Sequence, residues 1–131
     1  MSVLGTGIDL VDVEAFREQL SDTASGFVAG VFSTRERSDA GRHGDPVPGL
    51  AARFAAKEAF VKAWSGSRFG LPPVMERADL RDIEVILDAD HRPRLVLSGA
   101  VGDAVSSEIA IHVSLTHDGP MAGAVVVLDG G

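Results

Sequence analysis

The chain has no cysteine. Disulfides, thiolate metal sites and cysteine nucleophiles are therefore excluded, and the fold must hold by packing alone. No apolar run approaches the roughly 20 residues that a membrane-spanning helix needs. The N-terminal stretch MSVLGTGIDL lacks the basic region, long apolar segment and small-residue cleavage site of a secretory signal, which predicts a cytoplasmic protein. Positive charge is also scarce, with 12 Lys and Arg against 19 Asp and Glu and a net charge of −7. Nucleic-acid binders normally present a basic surface that neutralises phosphate, so this balance argues against that class. A local anionic ligand remains compatible with it, because Arg35, Arg37, Arg42, Arg53, Lys57, Lys62 and Arg68 all fall within positions 35–68.

What is present fits one domain of 131 residues, 45% of them hydrophobic. Val3 to Val11 alternates as a strand, with Leu4, Thr6, Ile8 and Leu10 on one face and Gly5, Gly7 and Asp9 on the other. Glycines in a strand let another backbone or a ligand come close, so the space beside Asp9 is expected to be open. A short helix follows over about 13–20, closed by SDTASG. Ser33 and Glu36 have capping-box spacing, which predicts a second short helix ending near Gly41. GRHGDPVPG is expected to be a mobile loop. Leu50 to about Trp64 is the strongest helix. DIEVIL and RLVL, separated by DADHRP, predict a hairpin; a short helix over 99–107 and a second hairpin around DGP complete an α+β fold with a small antiparallel sheet packed on the long central helix.

The stretch RFAAKEAFVKAW, Arg53 to Trp64, poses the functional question. On a helical wheel Leu50, Phe54, Phe60, Val61 and Trp64 share one arc, Lys57 falls inside it and Glu58 at its edge, while alanines cover the opposite side. A helix so enclosed should not carry ionised groups without partners, since burying one costs several kcal/mol. One reading is modest: Glu58 and Lys62 form an i,i+4 pair worth a few tenths of a kcal/mol, and lysines extend to water. The other joins Glu58 to Asp9 as oxygen ligands of a magnesium ion bridging protein to phosphate, with the neighbouring cations neutralising the remaining charge.

GIDLVDVEAF, RFAAKEAFVKAW, DIEV (Asp82 to Val85) and HVSLTHD (His112 to Asp118), in this order over nearly the whole chain, resemble the acyl-carrier-protein synthase type of 4′-phosphopantetheinyl transferase. The resemblance implies transfer of the phosphopantetheine arm of coenzyme A to a serine of an acyl carrier protein, releasing 3′,5′-ADP, for fatty-acid biosynthesis. It implies magnesium held by Asp9 and Glu58, with Glu58 taking the serine proton directly or through a bound water, and Lys62 serving the leaving phosphate. Lys57 and Arg53 are expected to bind phosphate. Gly66, Ser67 and Arg68 follow the central helix where the family has a phosphate loop whose backbone N–H groups approach the ligand. Thr116, His117 and Pro93 are expected near the nucleotide end of coenzyme A. The HRP turn, His91 to Pro93, stands where family members often carry a glycine before proline. Glu36 is read only as a helix cap.

The same resemblance implies a homotrimer with active sites between subunits. Carrier proteins are acidic, yet the first helix here offers Arg17 alone against Asp12, Glu14 and Glu18. Docking is therefore expected to use Arg35, Arg37 and Arg42, or apolar contacts from Phe16 and Leu20.

Overall fold

A computed structural model of the chain describes residues 2–22 and 26–131. Strand β1 (Val3–Asp12) leads into helix α1 (Val13–Ser21), whose N-terminus is capped by the Asp12 carboxylate accepting from Ala15 N–H at 2.9 Å. Part of SDTASG, expected to close α1, lies outside the described residues. Helix α2 (Phe27–Val31), which the periodicity did not predict, contributes Phe27 to an aromatic cluster with Phe16, Phe32 and Phe54. Helix α3 (Thr34–Ala40) starts with the predicted reciprocal capping box of Ser33 and Glu36.

Helix α4 (Val47–Gly66) is longer at both ends than predicted and begins inside the stretch expected to be a mobile loop. Prolines tolerate the first helical turn because its N–H groups lack intrahelical partners, so Pro46 and Pro48 start the helix rather than delay it. Strands β2 (Ile83–Leu87) and β3 (Pro93–Leu97) form the predicted hairpin, α5 (Gly99–Ala104) follows, and β4 (Ala110–Asp118) and β5 (Met121–Asp129) form the last hairpin.

Two antiparallel sheets result, one ordered β1-β5-β4 and one β2-β3. The inner face of the three-stranded sheet packs on α4, where Ala55, Ala56, Ala59, Phe60 and Ala63 meet Val126 and Leu128 in the main core. Gly5 and Gly7 set the depth of this contact. A Cβ at either position would fall on the carbonyl oxygen of Ala63 or Ala59. The space beside the two glycines is thus filled by helix α4, while Asp9 itself borders an open, shallow cavity. The outer face of the same sheet stays uncovered, with Leu4 41%, Ile8 64%, Leu10 66% and Val125 41% exposed. No helix among the described residues is long and apolar enough to cross a membrane.

Candidate active site

The close approach of β1 to α4 brings Asp9 against the next turns of the helix. Lys62 donates from Nζ to Asp9 Oδ1 at 3.1 Å and to the Ile8 carbonyl at 3.0 Å. One helical turn earlier on the same side of α4 stands Glu58, which with Asp9 lines a shallow cavity of about 330 Å³. Partial burial raises the Glu58 carboxyl above the ordinary glutamate value, the Asp9 charge raises it further, and Lys62 and Arg77 oppose both. Two carboxylates, Asp9 and Glu58, thus gather with the Lys62 ammonium where strand meets helix. Among the described residues no group of three or more carboxylate or histidine side chains gathers to enclose a metal by itself. A two-carboxylate set fits magnesium, which keeps several waters and takes its other oxygens from a phosphate substrate.

Glu58 also borders a second cavity, of about 470 Å³, with apolar walls from Trp64, Leu71 and Val74 and cations from Arg68 and Arg77. Arg68 donates from one guanidinium nitrogen to the Pro72 carbonyl at 3.1 Å, while its Nε is buried with no hydrogen-bond partner among the described residues. Gly66 and Ser67 do not form the expected loop of free N–H groups. Helix α4 runs through Gly66, and the N–H groups of Ser67 and Arg68 are already given to Ala63 and Ser65 carbonyls at 3.0 and 3.1 Å.

A third cavity, of about 720 Å³, gathers Arg53, Pro93, Thr116 and His117. Arg53 is 6% exposed, donates to the Gly49 carbonyl at 3.0 Å and keeps its Nε buried with no hydrogen-bond partner among the described residues. Gly49 leaves this contact unstrained, since a Cβ there would stand 3.2 Å from Arg53 Nη1 and oblige the guanidinium to shift slightly. This cavity lies away from Asp9 and Glu58. Arg53 and Lys62 are nine residues apart, about 180° around a helix advancing about 100° per residue.

Lys57 takes a different part from the one expected. It is fully buried, and its ammonium donates to Glu36 Oε1 at 2.9 Å, Leu80 O at 3.0 Å and Ile83 O at 2.6 Å. All three protons are used inside the protein, so Lys57 is not a phosphate ligand. Glu36, equally buried, accepts from Ser33 N–H and, through Oε2, from Val85 N–H at 3.0 Å. The helix-cap reading of Glu36 holds but captures only half of its work, because the sequence carries no local signal for its partners on α4 and β2.

With this geometry in place, comparison with known proteins decides the family. The model of the 4′-phosphopantetheinyl transferase superfamily matches residues 5–123. The chain belongs to that superfamily. The holo-[acyl-carrier-protein] synthases of Mycobacterium leprae (strain Br4923) and Mycobacterium tuberculosis (strain ATCC 25618 / H37Rv) are each 46% identical to it over 130 residues, covering 98% of both chains. Among solved structures, the acyl carrier protein synthase of Mycobacterium tuberculosis superposes with a TM-score of 0.81 at 44% identity, and the ACPS–CoA complex of Chronobacterium ammoniagenes with 0.88 at 38%, each covering 98% of both chains.

Against the resemblance to this transferase superfamily, the structure brings Asp9, Glu58 and Lys62 into one group and Arg53, Pro93, Thr116 and His117 into another. Arg77, beside Glu58, was not anticipated; ERADL has neither a periodicity nor a motif that would single it out. Phe16, offered as an apolar carrier contact, is instead 3% exposed within the aromatic cluster, and Arg17 is occupied by Asp45 at 2.7 Å.

Proposed function

We propose that the chain, acting as one domain over residues 1–131, is a cytoplasmic, magnesium-dependent holo-[acyl-carrier-protein] synthase. It moves 4′-phosphopantetheine from coenzyme A to a serine of apo acyl carrier protein for fatty-acid biosynthesis. The observation that carries this reading is the convergence of Asp9, Glu58 and Lys62 from β1 and α4 in a superfamily member. The serine oxygen forms its bond to the phosphorus bearing pantetheine, the bond from that phosphorus to the bridging oxygen breaks, and 3′,5′-ADP leaves. Glu58 takes the serine proton, directly or through a bound water, and its place among Asp9 and Lys62 puts the carboxylate where that proton is released. Lys62, steered by Asp9 and the Ile8 carbonyl, meets the phosphate oxygens where charge grows on the leaving group. Asp9 and Glu58 would hold magnesium, which supplies charge neutralisation to the diphosphate.

The nucleotide end of coenzyme A belongs in the 720 Å³ cavity with Arg53, Pro93, Thr116 and His117. Because that cavity and the Asp9 group lie on different sides of α4, the site is completed by a neighbouring copy in a homotrimer. The uncovered apolar face of Leu4, Ile8, Leu10 and Val125 supports such packing. The Chronobacterium ammoniagenes neighbour is an ACPS–CoA complex, which supports coenzyme A as the donor.

The test is incubation of the purified protein with coenzyme A, magnesium and apo carrier, followed by intact mass measurement of the carrier. A gain of one phosphopantetheine is expected. Free phosphopantetheine with unchanged carrier would show a hydrolase, and ligand binding without turnover a sensor; either result rejects the assignment.

A further inference from the structure

A carrier has to bring its serine within reach of Glu58, so the surface it docks on must flank that carboxylate. Two elements of the chain do. Helix α1 stands on one side, where Ala15, Phe16 and Gln19 line the shallow cavity together with Glu58. The connection from α4 to β2, residues 67–82, stands on the other, across the 470 Å³ cavity that Glu58 also borders. Helix α1 is ill suited to an acidic partner. Asp12, Glu14 and Glu18 are exposed on it, and Arg17 is held by Asp45 at 3.2 and 2.7 Å and by Glu14 at 3.3 Å. Arg35 and Arg42, two of the cations expected to serve docking, face Asp39 instead, at 3.9 and 3.4 Å.

The connection from α4 to β2 has the opposite character. Phe69 is 97% exposed, Leu71 60% and Val74 45%. Single apolar residues on a surface are ordinary, but three in one short stretch beside a reaction centre mark a contact surface. The turn that carries them is fixed. Leu71 N–H reaches the Arg68 carbonyl at 2.9 Å, Gly70 takes a positive φ of 82°, Arg68 donates to the Pro72 carbonyl at 3.1 Å, and the rings of Pro72 and Pro73 lock their own φ. The backbone thus holds an aromatic ring out in water, and a partner that covers it has little ordering left to impose. Charge points the same way. Within this stretch Arg68 and Arg77 stand against one carboxylate, Glu76, in a chain whose net charge is −7. Neither arginine forms an ion pair among the described residues, although the charge of Arg77 reaches Glu58.

We propose that the turn of Phe69, Leu71 and Val74, with Arg68 and Arg77 beside it, is the surface on which this chain seats the acidic carrier and directs its serine to Glu58. The inference rests on the transferase reading above and names the docking surface for its acceptor. It replaces basic residues on α1 with an apolar turn flanked by two arginines, which suits a chain whose first helix repels an acidic protein.

Steady-state kinetics of the intact protein test it in wild type, Phe69→Asp and Glu76→Lys, with apo carrier varied at saturating coenzyme A and then coenzyme A varied at saturating carrier. Both positions are exposed, so both variants are expected to keep the wild-type melting temperature. Phe69→Asp removes the ring and sets a like charge against the carrier. The carrier KM is expected to rise about tenfold, with kcat and the coenzyme A KM unchanged. Glu76→Lys removes the one carboxylate of the stretch and is expected to lower the carrier KM about threefold at low salt, a gain that added salt erases and that misfolding cannot imitate. A wild-type carrier KM in both variants overturns the docking surface while the transferase reading stands. Parallel rises in both KM values assign the turn to the donor and overturn it as well. Dissociation of Phe69→Asp in light scattering, where wild type stays assembled, makes a second copy the occupant, with the same consequence. No transfer by wild type withdraws the acceptor itself, and the docking surface with it.

Discussion

Glu58, the proposed base, works against the fold that carries it. Its carboxyl is raised by burial and by Asp9, so the folded protein favours the protonated form relative to the unfolded chain. Such a group stabilises the fold below the unfolded glutamate value, and that contribution is lost as pH rises through the higher folded value. At neutral pH the ionised Glu58 is therefore a burden. Glu58→Gln should abolish carrier modification while leaving the melting temperature at pH 7 equal to or above wild type; a lowered melting temperature would mean that the carboxylate is structural. Direct titration gives a second check. The Glu58 midpoint, followed by carboxyl NMR in metal-free protein, should lie above the ordinary glutamate value and fall in Asp9→Asn, because the neighbouring charge is removed.

At the scale of elements, helix α4 is held from two sides by different means. On one side are close backbones: β1 meets the helix at Gly5 and Gly7, where a side chain would strike the carbonyls of Ala63 and Ala59. Gly7→Ala forces strand and helix apart, at a cost of roughly 3 kcal/mol, and should show as a lower urea midpoint together with lost activity, since Asp9 rides on the same strand. On another side is the buried Glu36–Lys57 pair, which joins α3, α4 and β2 through five hydrogen bonds to named partners. Burial pushes the Lys57 ammonium below the ordinary lysine value, and Glu36 opposes that. Removing one partner strands the other charge in the core. Lys57→Met is expected to destabilise by about 3–5 kcal/mol, and the double variant Glu36→Gln, Lys57→Met by clearly less than the sum of the singles. Additive losses in chemical denaturation would show that the two residues act independently.

At the scale of the whole molecule, one chain carries the Asp9 group and the Arg53 cavity apart from each other and leaves an apolar sheet face exposed. If adjacent copies complete each other's site, Glu58→Gln and Arg53→Ala chains should each be inactive alone. Mixed by unfolding and refolding together, they should recover a measurable fraction of wild-type turnover, because some interfaces unite an intact Glu58 with an intact Arg53. No recovery at any mixing ratio would place each complete site within a single chain. Replacing Ile8, 64% exposed on the outer face, by Glu should dissociate the assembly in light scattering, with activity lost in parallel.

Local pattern alone was enough for β1, for the capping box of α3, for the two hairpins and for the core of α4, because each depends on residues near one another in the chain. The motifs likewise single out Asp9, Glu58 and Lys62, which the fold places together. Tertiary structure decided what those patterns could not: that the glycines beside Asp9 admit a helix backbone rather than a ligand, that Lys57 serves Glu36 and two carbonyls rather than phosphate, and that Gly66 and Ser67 finish a helix rather than open a phosphate loop. In each case the deciding partner lies on another element, and a side chain's role follows from which donor or acceptor packing brings within about 3 Å of it, a distance that separation along the chain does not encode.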